Sequence, residues 1–364
     1  MYLLYDLRET IMKARFFIAT IALAAGALMA KDYSGAELYS KETWMYGKFE
    51  ARMQMAAGSG TVSSMFLYHN DSYLGGNEPW VEVDIEILGQ NPSSFQSNII
   101  TGYGPTEKQP NRKITSEQHH PINPASNASF HTYGLEWTPN YVAWTLDGQV
   151  VRKTVKGQES GCKTENGGQQ QSYCNQVQDL GKKPQGLRFN LWSHEDAGWV
   201  GAWNDNILPV YQFINWVKVY EYTPGQGDNG SDFKLLWTDN FDTFDRSRWN
   251  LGDWTFDGNR VDISPDNVYT KNGMAIIALT KKGQEGFNGQ VPQDPEGDAM
   301  LNNSLPQSSS SEQFTPPSSS SEQETGILQN RIKVQNREVR GTVNAKGARV
   351  RETNKAHYQV DFNY

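Results

Sequence analysis

The stretch "HTYGLEWTPNYVAWTLDGQVVRKTV", residues 131–155, sets the fold class because its large apolar residues alternate with smaller or polar ones. The alternating residues are Tyr133, Leu135 and Trp137 in the first part and Val142, Trp144 and Leu146 in the second. Alternation with period two is the signature of a β-strand. A turn at Pro139-Asn140 separates the two runs, and Asp147-Gly148 is a hairpin signal. The stretch therefore predicts consecutive antiparallel strands joined by tight turns.

Similar runs rich in aromatic and β-branched residues recur along the chain, with hardly a helical pattern between them. They are "GKFEARMQMA" (47–56), "TVSSMFLYHN" (61–70), "FQSNIITGYG" (95–104), "GLRFNLWS" (186–193) and "FINWVKVYEYT" (213–223). Many short strands separated by Asn, Gly and Pro turns are typical of a large antiparallel sandwich. The sheets of such a sandwich twist and can curve into a groove. We therefore predict an all-β fold with a concave cleft.

The composition narrows the kind of ligand. The 364 residues include 11 Trp and 17 Tyr, and the formal net charge is -8. An acidic chain is a poor nucleic-acid binder, whereas Trp and Tyr rings suit an uncharged ligand such as a sugar. The length favours one large domain with accessory segments.

The N-terminus predicts export. "MKARFFIATIALAAGALMA", Met12 to Ala30, has two cations, an apolar run and then small residues, which is the pattern of a signal peptide. Cleavage after Ala27 or after Ala30 fits the pattern, and translation is expected to start at Met12. No other segment is apolar enough to span a bilayer. We expect residues 1–30 to be removed and the protein to be secreted, or held at the cell surface.

The two cysteines, Cys162 and Cys174, lie in a Gly/Gln/Asn-rich stretch that is typical of a surface loop. In an exported protein they predict a disulfide, which would contribute about 2 to 3 kcal/mol by restricting the unfolded chain. Two free thiols are the alternative. A metal site is disfavoured because there is no second cysteine pair.

A composition break follows at "TPGQGDNGSD", residues 223–232, which reads as a connector. The next fifty or so residues are strand-like again but too few for an independent domain. Their Trp237, Trp249 and Trp254 need a surface to bury against. We therefore predict that this segment completes the first sandwich, in one domain over residues 31–286.

The C-terminal part loses the strand pattern. Residues 287–324 are predicted to be a disordered linker, because "SSSSEQ" at Ser308–Gln313 is repeated at Ser318–Gln323. Residues 325–364 are basic. This tail either contacts an anionic cell surface or the secretion machinery, or is a solvated disordered segment.

Three acids stand on one predicted strand in "WVEVDIEILG", Trp80 to Gly89. Period two places Glu82, Asp84 and Glu86 on the same face, where like charges repel. A calcium site would require a bent loop with carbonyl ligands, and a solvated polar face would normally mix residue types. The third explanation is glycoside hydrolysis, which needs a carboxylate nucleophile and a carboxylic acid.

Strand geometry is compatible with the third explanation. Residues i and i+4 lie about 13 Å apart at Cα, and two inward-leaning glutamates can bring their carboxyls near the ~5 to 5.5 Å of a retaining enzyme. Asp84 is too short to reach the same sugar atom, but it can hydrogen-bond a neighbouring glutamate and hold part of the charge. Clustering raises the pKa of at least one acid, which keeps a proton donor protonated near neutral pH.

The acidic motif, with "FQSNIITG", "GLRFNLWS" and "FINWVKVYEYTPG", resembles glycoside hydrolase family 16, in particular bacterial 1,3-1,4-β-glucanases (lichenases), from Asp32 to about Gly286. The resemblance implies a concanavalin-like jelly roll and a retaining endo-hydrolase. It makes Glu82 the nucleophile, Glu86 the acid/base and Asp84 an assisting residue. In most lichenases the segment similar to "WTDNFDTFDRSRW" (237–249) precedes the one similar to "YGKFEARMQM". Here it follows, which implies a circularly permuted chain.

The resemblance also implies ligand-binding positions. The substrate-binding residues are Phe66, Tyr68, Gln96, Asn98, Arg188, Asn190, Trp192, Trp199 and Trp254. For any single aromatic residue the alternative is core packing. A structural calcium is implied at Asn215, Asn240 and Gly273, although none of these is a carboxylate. His119, His120 and His131 lack a matching acid and are expected to be surface or hydrogen-bonding residues.

The expected function is hydrolysis of β-1,4 bonds that follow a β-1,3-linked glucose in mixed-linkage glucan, by a monomer that needs no cofactor for its chemistry. Laminarinases usually have the spacing ExDxxE, whereas this chain has ExDxE. Action on another β-glucan or on xyloglucan is the alternative within the fold. A non-catalytic lectin is the alternative outside it, and the intact acidic triad argues against a lectin.

Overall fold

The computed structural model describes residues 30–165, 168–171, 174–304, 349–353 and 357–361. The predicted signal peptide and the serine repeats lie outside these residues. The chain divides into two compact units, residues 1–307 and 308–364. In the described ranges no helix is long and apolar enough to cross a membrane.

Strands dominate the described part of the first unit. They are β1 (Tyr33–Ser40), β2 (Gly47–Gln54), β3 (Thr61–Tyr68), β4 (Glu82–Leu88), β5 (Ser94–Thr101), β6 (Ile114–Thr115), β7 (Gln118–Pro121), β8 (His131–Trp137), β9 (Tyr141–Leu146), β10 (Gln149–Val155), β11 (Lys163–Thr164), β12 (Gly186–Ser193), β13 (Val210–Tyr222), β14 (Phe233–Asp239), β15 (Trp249–Leu251), β16 (Val261–Ile263), β17 (Val268–Lys271) and β18 (Met274–Lys281). The α-helices are short: α1 (Gln176–Leu180), α2 (Ala197–Val200) and α3 (Pro295–Ser304). Single 3-10 turns cover Ser72–Leu74, Asp205–Ile207, Asp228–Gly230 and Pro265–Asn267. The all-β prediction is confirmed.

The strands form two antiparallel layers. One, the cleft sheet, has the order β15–β1–β12–β3–β4–β5–β7. The other, the outer sheet, has the order β10–β9–β8–β2–β13–β18–β17, with β14 beside the C-terminal half of β13. The start of β1 also pairs with β18 and, in parallel, with β16. The opening stretch thus forms the meander β8–β9–β10 at one edge of the outer sheet.

The core lies between the two sheets. Apolar side chains of the cleft sheet, such as Val83 and Ile85, are fully buried in one cluster with Phe49 and Leu135 of the outer sheet. Trp144 of β9 is fully buried as well, and its indole N–H donates to the Asp84 carbonyl oxygen at 2.8 Å. This hydrogen bond ties β4, the strand that carries the three acids, to the outer sheet.

Residues 233–281 complete the sandwich, as predicted. Strand β14 pairs with β13, and β18 pairs with both β13 and β1. Trp249 is 1% exposed and contacts the rings of Phe189 and Trp237. The segment thus adds strands beside β1 in both sheets. A circularly permuted chain order requires the segment to lie in this position.

The domain boundary differs from the prediction. We expected the domain to end at residue 286, but residues 287–301 pack on the outer sheet. Phe287 contacts Tyr211 with ring centroids 4.8 Å apart, and the buried Arg52 forms a two-point ion pair with Asp294, with N–O distances of 3.0 Å. The physical reason is that the buried guanidinium of Arg52 requires a carboxylate partner, and Asp294 supplies it.

The second unit contains a hairpin that we did not predict. Strand β19 (Arg349–Thr353) pairs antiparallel with β20 (His357–Asp361). The basic composition predicted either a tail that contacts an anionic cell surface or the secretion machinery, or a solvated disordered segment.

Candidate active site

Strand β4 presents its three acids to the cleft. Val83, Ile85 and Ile87, which alternate with the acids, are fully buried in the core. Glu82, Asp84 and Glu86 therefore share the opposite face, as the alternation predicts. Each of them has a different set of neighbours.

The strand register places most of the predicted substrate-binding residues around the acids. On β3, Tyr68, Phe66 and Ser64 lie opposite Glu82, Asp84 and Glu86, respectively. On β5, Asn98 and Gln96 lie opposite Asp84 and Glu86. One strand further, Arg188 and Asn190 of β12 pair with Phe66 and Ser64. A single polar and aromatic face thus crosses four strands.

Glu82 is held as a hydrogen-bond acceptor. The indole N–H of Trp80 donates to its Oε2 at 2.6 Å, and the Trp80 ring meets Tyr68 edge-on at 5.6 Å. Burial raises the pKa of Glu82 to about 7, while the Trp80 hydrogen bond and the positive charge of Lys113 oppose the rise. The Trp80 bond favours the ionised form and fixes the direction of the carboxylate.

Glu86 has fewer groups that favour its ionised form. Gln96 donates from Nε2 to its Oε2 at 2.9 Å, and Gln96 Oε1 accepts from the Trp199 indole at 3.3 Å. Burial raises the pKa of Glu86 to about 8, and the charge of Glu82 adds to the rise. These surroundings favour the protonated form of Glu86 more than that of Glu82.

Asp84 lies between the glutamates and is only 4% exposed. Burial raises its pKa well above the usual range, and the charges of Glu82 and Glu86 and a hydrogen bond with Glu82 raise it further. A protonated Asp84 relieves the repulsion that three ionised carboxylates would cause on one strand.

Arg188, a predicted substrate-binding residue, has several partners within the protein. Its guanidinium is buried, forms an ion pair with Glu37 and donates to Asn70 Oδ1 at 2.7 Å. The same group lies 4.7 to 5.6 Å from the ring centroids of Tyr39, Tyr68 and Trp254. Through these cation–π contacts Arg188 holds three aromatic side chains of the cleft in place.

A second aromatic group lines the cleft near Glu86. Trp192 contacts Trp199 at 6.0 Å and Phe256 at 5.1 Å between ring centroids. Phe256 is 44% exposed, as is Trp254 at 37%, so both rings present surface to solvent. Such rings suit the C–H faces of a sugar.

Several site residues were missed from the sequence, namely Glu37, Tyr39, Trp80, Lys113 and Phe256. Glu37 and Tyr39 alternate in β1 as the acids do in β4, so their period was visible. What could not be seen was that β1 pairs with β12, where Glu37 meets Asn190 and Tyr39 meets Arg188.

The predicted disulfide is confirmed. Cys162 and Cys174 are bonded, with Cα atoms 6.0 Å apart. The bridge closes the loop that contains β11. Strand β11 pairs with β6, β6 pairs with β5, and β5 pairs with β4, the strand of the acids.

Of the three calcium positions, Asn215 lies in the middle of β13, where its pairing changes from β18 to β14; Asn240 follows β14, and Gly273 precedes β18. The Asn240 carbonyl oxygen is 3.8 Å from the place that a Cβ would take at Gly273. Asn215 is the residue at which the register between β13 and β2 shifts, and its amide donates to Asp294 and Asp298. In the described ranges, no cluster of three His, Cys, Asp or Glu side chains is arranged to hold a metal.

Two of the histidines are hydrogen-bonded, as expected. His120 contacts Ser97 Oγ at 2.8 Å, and His131 contacts Asp147 at 2.7 Å and the Pro124 carbonyl at 2.9 Å.

Comparison with known proteins agrees with this geometry. The family model described as "Glycosyl hydrolases family 16" matches residues 15–197. A β-glucanase of Fibrobacter succinogenes is 52% identical over 380 aligned residues, which cover 99% of this chain and 100% of that protein. A β-glucanase of Brevibacillus brevis is 30% identical over 57% of this chain and 66% of its own length. The solved structure of Bacillus licheniformis β-glucanase aligns over 51% of this chain and 77% of its own at 25% identity, but its TM-score of 0.37 is too low to carry weight.

Proposed function

From the premise that this chain belongs to glycoside hydrolase family 16 and is a β-glucanase, we propose that it is a retaining endo-enzyme. Its proposed substrate is mixed-linkage glucan, cut at β-1,4 bonds that follow a β-1,3-linked glucose. The observation that carries the proposal is the pair Glu82 and Glu86 on one cleft face of β4, with Trp80 stabilising the carboxylate of the first.

In the first step, a Glu82 carboxylate oxygen attacks the anomeric carbon as the bond to the leaving oxygen breaks. Glu86 donates its proton to that oxygen, so the leaving chain departs as a neutral alcohol. The Trp80 N–H at 2.6 Å holds the attacking carboxylate in place. The product of this step is a glucosyl ester of Glu82 and an ionised Glu86.

In the second step, Glu86 removes a proton from water as the water oxygen attacks the anomeric carbon. The ester bond breaks, Glu82 leaves as a carboxylate and Glu86 is protonated again. Two inversions give net retention. Gln96 supports both stages because its amide N–H can stabilise Glu86 when that residue is ionised.

The specificity for mixed linkages is supported by the ExDxE spacing and by the β-glucanase names of the relatives. The regular strand β4, with no register shift against β3 or β5, is the structural counterpart of that spacing. A bulge would insert an extra residue and turn the last acid to another position.

Side-by-side digestion of barley β-glucan, lichenan, laminarin and carboxymethylcellulose tests the specificity. We expect short oligosaccharides from the first two substrates and little release from the others. Rapid cleavage of laminarin would overturn the mixed-linkage assignment. NMR of the first products tests retention, since a retaining enzyme releases the β-anomer before mutarotation, whereas early α-anomer would contradict Glu82 as a nucleophile.

We also propose secretion, on the basis of the Met12–Ala30 pattern, and a structural calcium held by the backbone carbonyls of Asn215, Asn240 and Gly273. Calcium accepts carbonyl ligands, and a residue at a bulge keeps backbone groups free of the ladder. The ion would stabilise the middle of β13, where its pairing changes from β18 to β14, and would supply no chemistry. Millimolar calcium should raise the melting temperature above that in chelator, with magnesium as the control; equal melting temperatures would rule the site out.

A further inference from the structure

Four alternating charges form a ladder at the edge of the cleft sheet. Lys113 precedes β6 and Glu117 follows it, while Lys163 and Glu165 belong to the disulfide-closed loop. Lys113 Nζ lies 2.7 Å from Glu165, and Lys163 forms an ion pair with Glu117. Strands β6 and β11 pair antiparallel, with Ile114 opposite Thr164 and Thr115 opposite Lys163, and the two ion pairs flank this pairing.

Lys113, the cation on the β6 side, is linked to Glu82 through Trp80. Lys113 Nζ lies 4.0 Å from the centroid of the Trp80 ring, and the N–H of that ring donates to Glu82 at 2.6 Å. Burial raises the pKa of Glu82, and among the charges around it Lys113 lowers that pKa whereas Glu165 raises it. The loop residue thus acts against Lys113.

The anionic member on the β6 side acts on Glu86. Thr115 Oγ1 lies within hydrogen-bonding distance of Glu117, at 2.9 Å, and of Asn98 Oδ1 on the cleft face, at 2.8 Å, and its one proton can be donated to either acceptor. Burial and the charge of Glu82 raise the pKa of Glu86, and the charge of Glu117 raises it further. Burial raises the pKa of Glu117 itself, but hydrogen bonds with Lys163 and Thr115 outweigh burial and lower this pKa, far below the pH of the basic limb.

We propose that Lys113 and Glu117 are positioning residues that assign opposite protonation states to Glu82 and Glu86. Lys163 and Glu165 of the disulfide-closed loop set how strongly the protonation states of the two glutamates differ. Lys163 partly neutralises Glu117, and Glu165 partly neutralises Lys113. The proposal rests on the proposed roles of Glu82 as nucleophile and Glu86 as acid. In this proposal the disulfide-closed loop helps to control the reaction although it contains no reacting group.

Other charged groups also face the two glutamates, and the variants described below leave these groups unchanged. Around Glu82 they are Tyr68 of β3, Asp84 and Glu86 of β4, and Arg188 of β12. Around Glu86 they are Glu82 and Asp84. Arg152 of β10 acts on Asp84 from the outer sheet. None of these belongs to the ladder.

The test is the pH dependence of kcat/KM for four single variants of the full chain. Activity requires Glu82 ionised, which sets the acidic limb, and Glu86 protonated, which sets the basic limb. Lys113→Met should move the acidic limb to higher pH, and Glu165→Gln should move it to lower pH. Glu117→Gln should move the basic limb to lower pH, and Lys163→Met should move it to higher pH. Each shift is expected to be about 0.3 to 1 pH unit.

Lys156→Met is the matched control, because it also removes one positive charge but lies in an exposed turn after β10. It should move neither limb. Unmoved limbs in the four ladder variants, with only a lower melting temperature or lower kcat, would show a purely structural role and overturn the proposal. Shifts in the same direction for both members of a pair would also overturn it. Near wild-type turnover by Glu82→Gln would instead overturn the proposed function, whatever the limbs do.

Discussion

At the scale of single residues, the three acids of β4 differ in their surroundings although they repeat along one strand. Glu82 accepts from an indole, Glu86 accepts from an amide, and Asp84 lies buried between their charges. Desolvation raises all three pKa values, and the hydrogen-bond donors decide how far each one rises. The mutual repulsion is therefore reduced by protonation and, at the same time, supplies a proton donor for catalysis.

The two glutamate roles can be separated by rescue with azide. Glu82→Ala and Glu86→Ala should each lose at least about a thousandfold in hydrolysis of glucan. With an aryl β-glycoside that has a good leaving group, azide should rescue both variants. Azide replaces the nucleophile in Glu82→Ala and gives an α-glycosyl azide, whereas in Glu86→Ala it attacks the glycosyl ester and gives a β-glycosyl azide. NMR of the products checks this, and a β-azide from Glu82→Ala would exchange the assignments.

Trp80 offers a second prediction at this scale. Trp80→Phe keeps an aromatic ring but removes the N–H donor to Glu82, so the pKa of Glu82 should rise further. The acidic limb of kcat/KM should then move to higher pH, with a loss of about tenfold or more near the optimum, since a hydrogen bond to a charged group is worth roughly 1.5 to 3 kcal/mol. The measurement is the pH profile. Trp203→Phe is the control because the Trp203 N–H has no partner in the structure, and an equal shift in both variants would contradict the role of the Trp80 N–H.

The sequence predicts the acids well because their signal is local. Period two and the unusual run of like charges depend only on neighbouring positions. The ion pair between Arg188 and Glu37 was not predicted, because the two residues are 151 positions apart and meet only through the strand order. Residues whose role depends on pairing between distant strands cannot be assigned from periodicity alone.

At the scale of elements, β6 and β11 are too short to be stable alone. Each has two residues, and their pairing relies on the two ion pairs of the ladder and on the disulfide beside Lys163. The bridge limits how far the loop can depart from β6. A local covalent link therefore supports an electrostatic arrangement at the cleft.

Removing the bridge should lower stability. The variant Cys162→Ser/Cys174→Ser should lose about 2 to 3 kcal/mol of unfolding free energy, because the unfolded chain is no longer restricted. Chemical denaturation with and without reductant measures this. Reductant should destabilise the wild type to the level of the variant and leave the variant unchanged. Equal stability of the two proteins without reductant would contradict the expected contribution.

At the scale of the whole molecule, the sandwich is assembled from segments that are distant in sequence. That residues 233–281 complete it was predictable, since so few residues cannot bury Trp237 and Trp249 alone, although Trp254 remains exposed. The role of residues 287–301 was not predictable, because Arg52 and Asp294 are 242 positions apart. No composition signal marks Asp294 as buried, yet it is only 5% exposed.

The structure therefore predicts two different outcomes for two truncations. A chain ending at Ser304 keeps Asp294, Glu296 and helix α3, so its melting temperature and glucanase activity should match those of the full chain. A chain ending at Gly286 loses Asp294 and Glu296 and leaves the buried Arg52 guanidinium with only Asp147, at 3.8 Å. It should lose about 3 to 5 kcal/mol of unfolding free energy, the usual cost of removing one partner of a buried ion pair.

A matched substitution separates the ion pair from the loss of packing around Phe287. Arg52→Met in the chain ending at Gly286 removes the poorly paired charge and should restore part of the lost stability. The same change in the chain ending at Ser304 should destabilise it, because Asp294 then loses its ion-pair partner. Denaturant unfolding of the four proteins gives the coupling between Arg52 and the C-terminal segment. Additive effects would mean that this segment is held by packing alone, and that its buried ion pair contributes nothing to the fold.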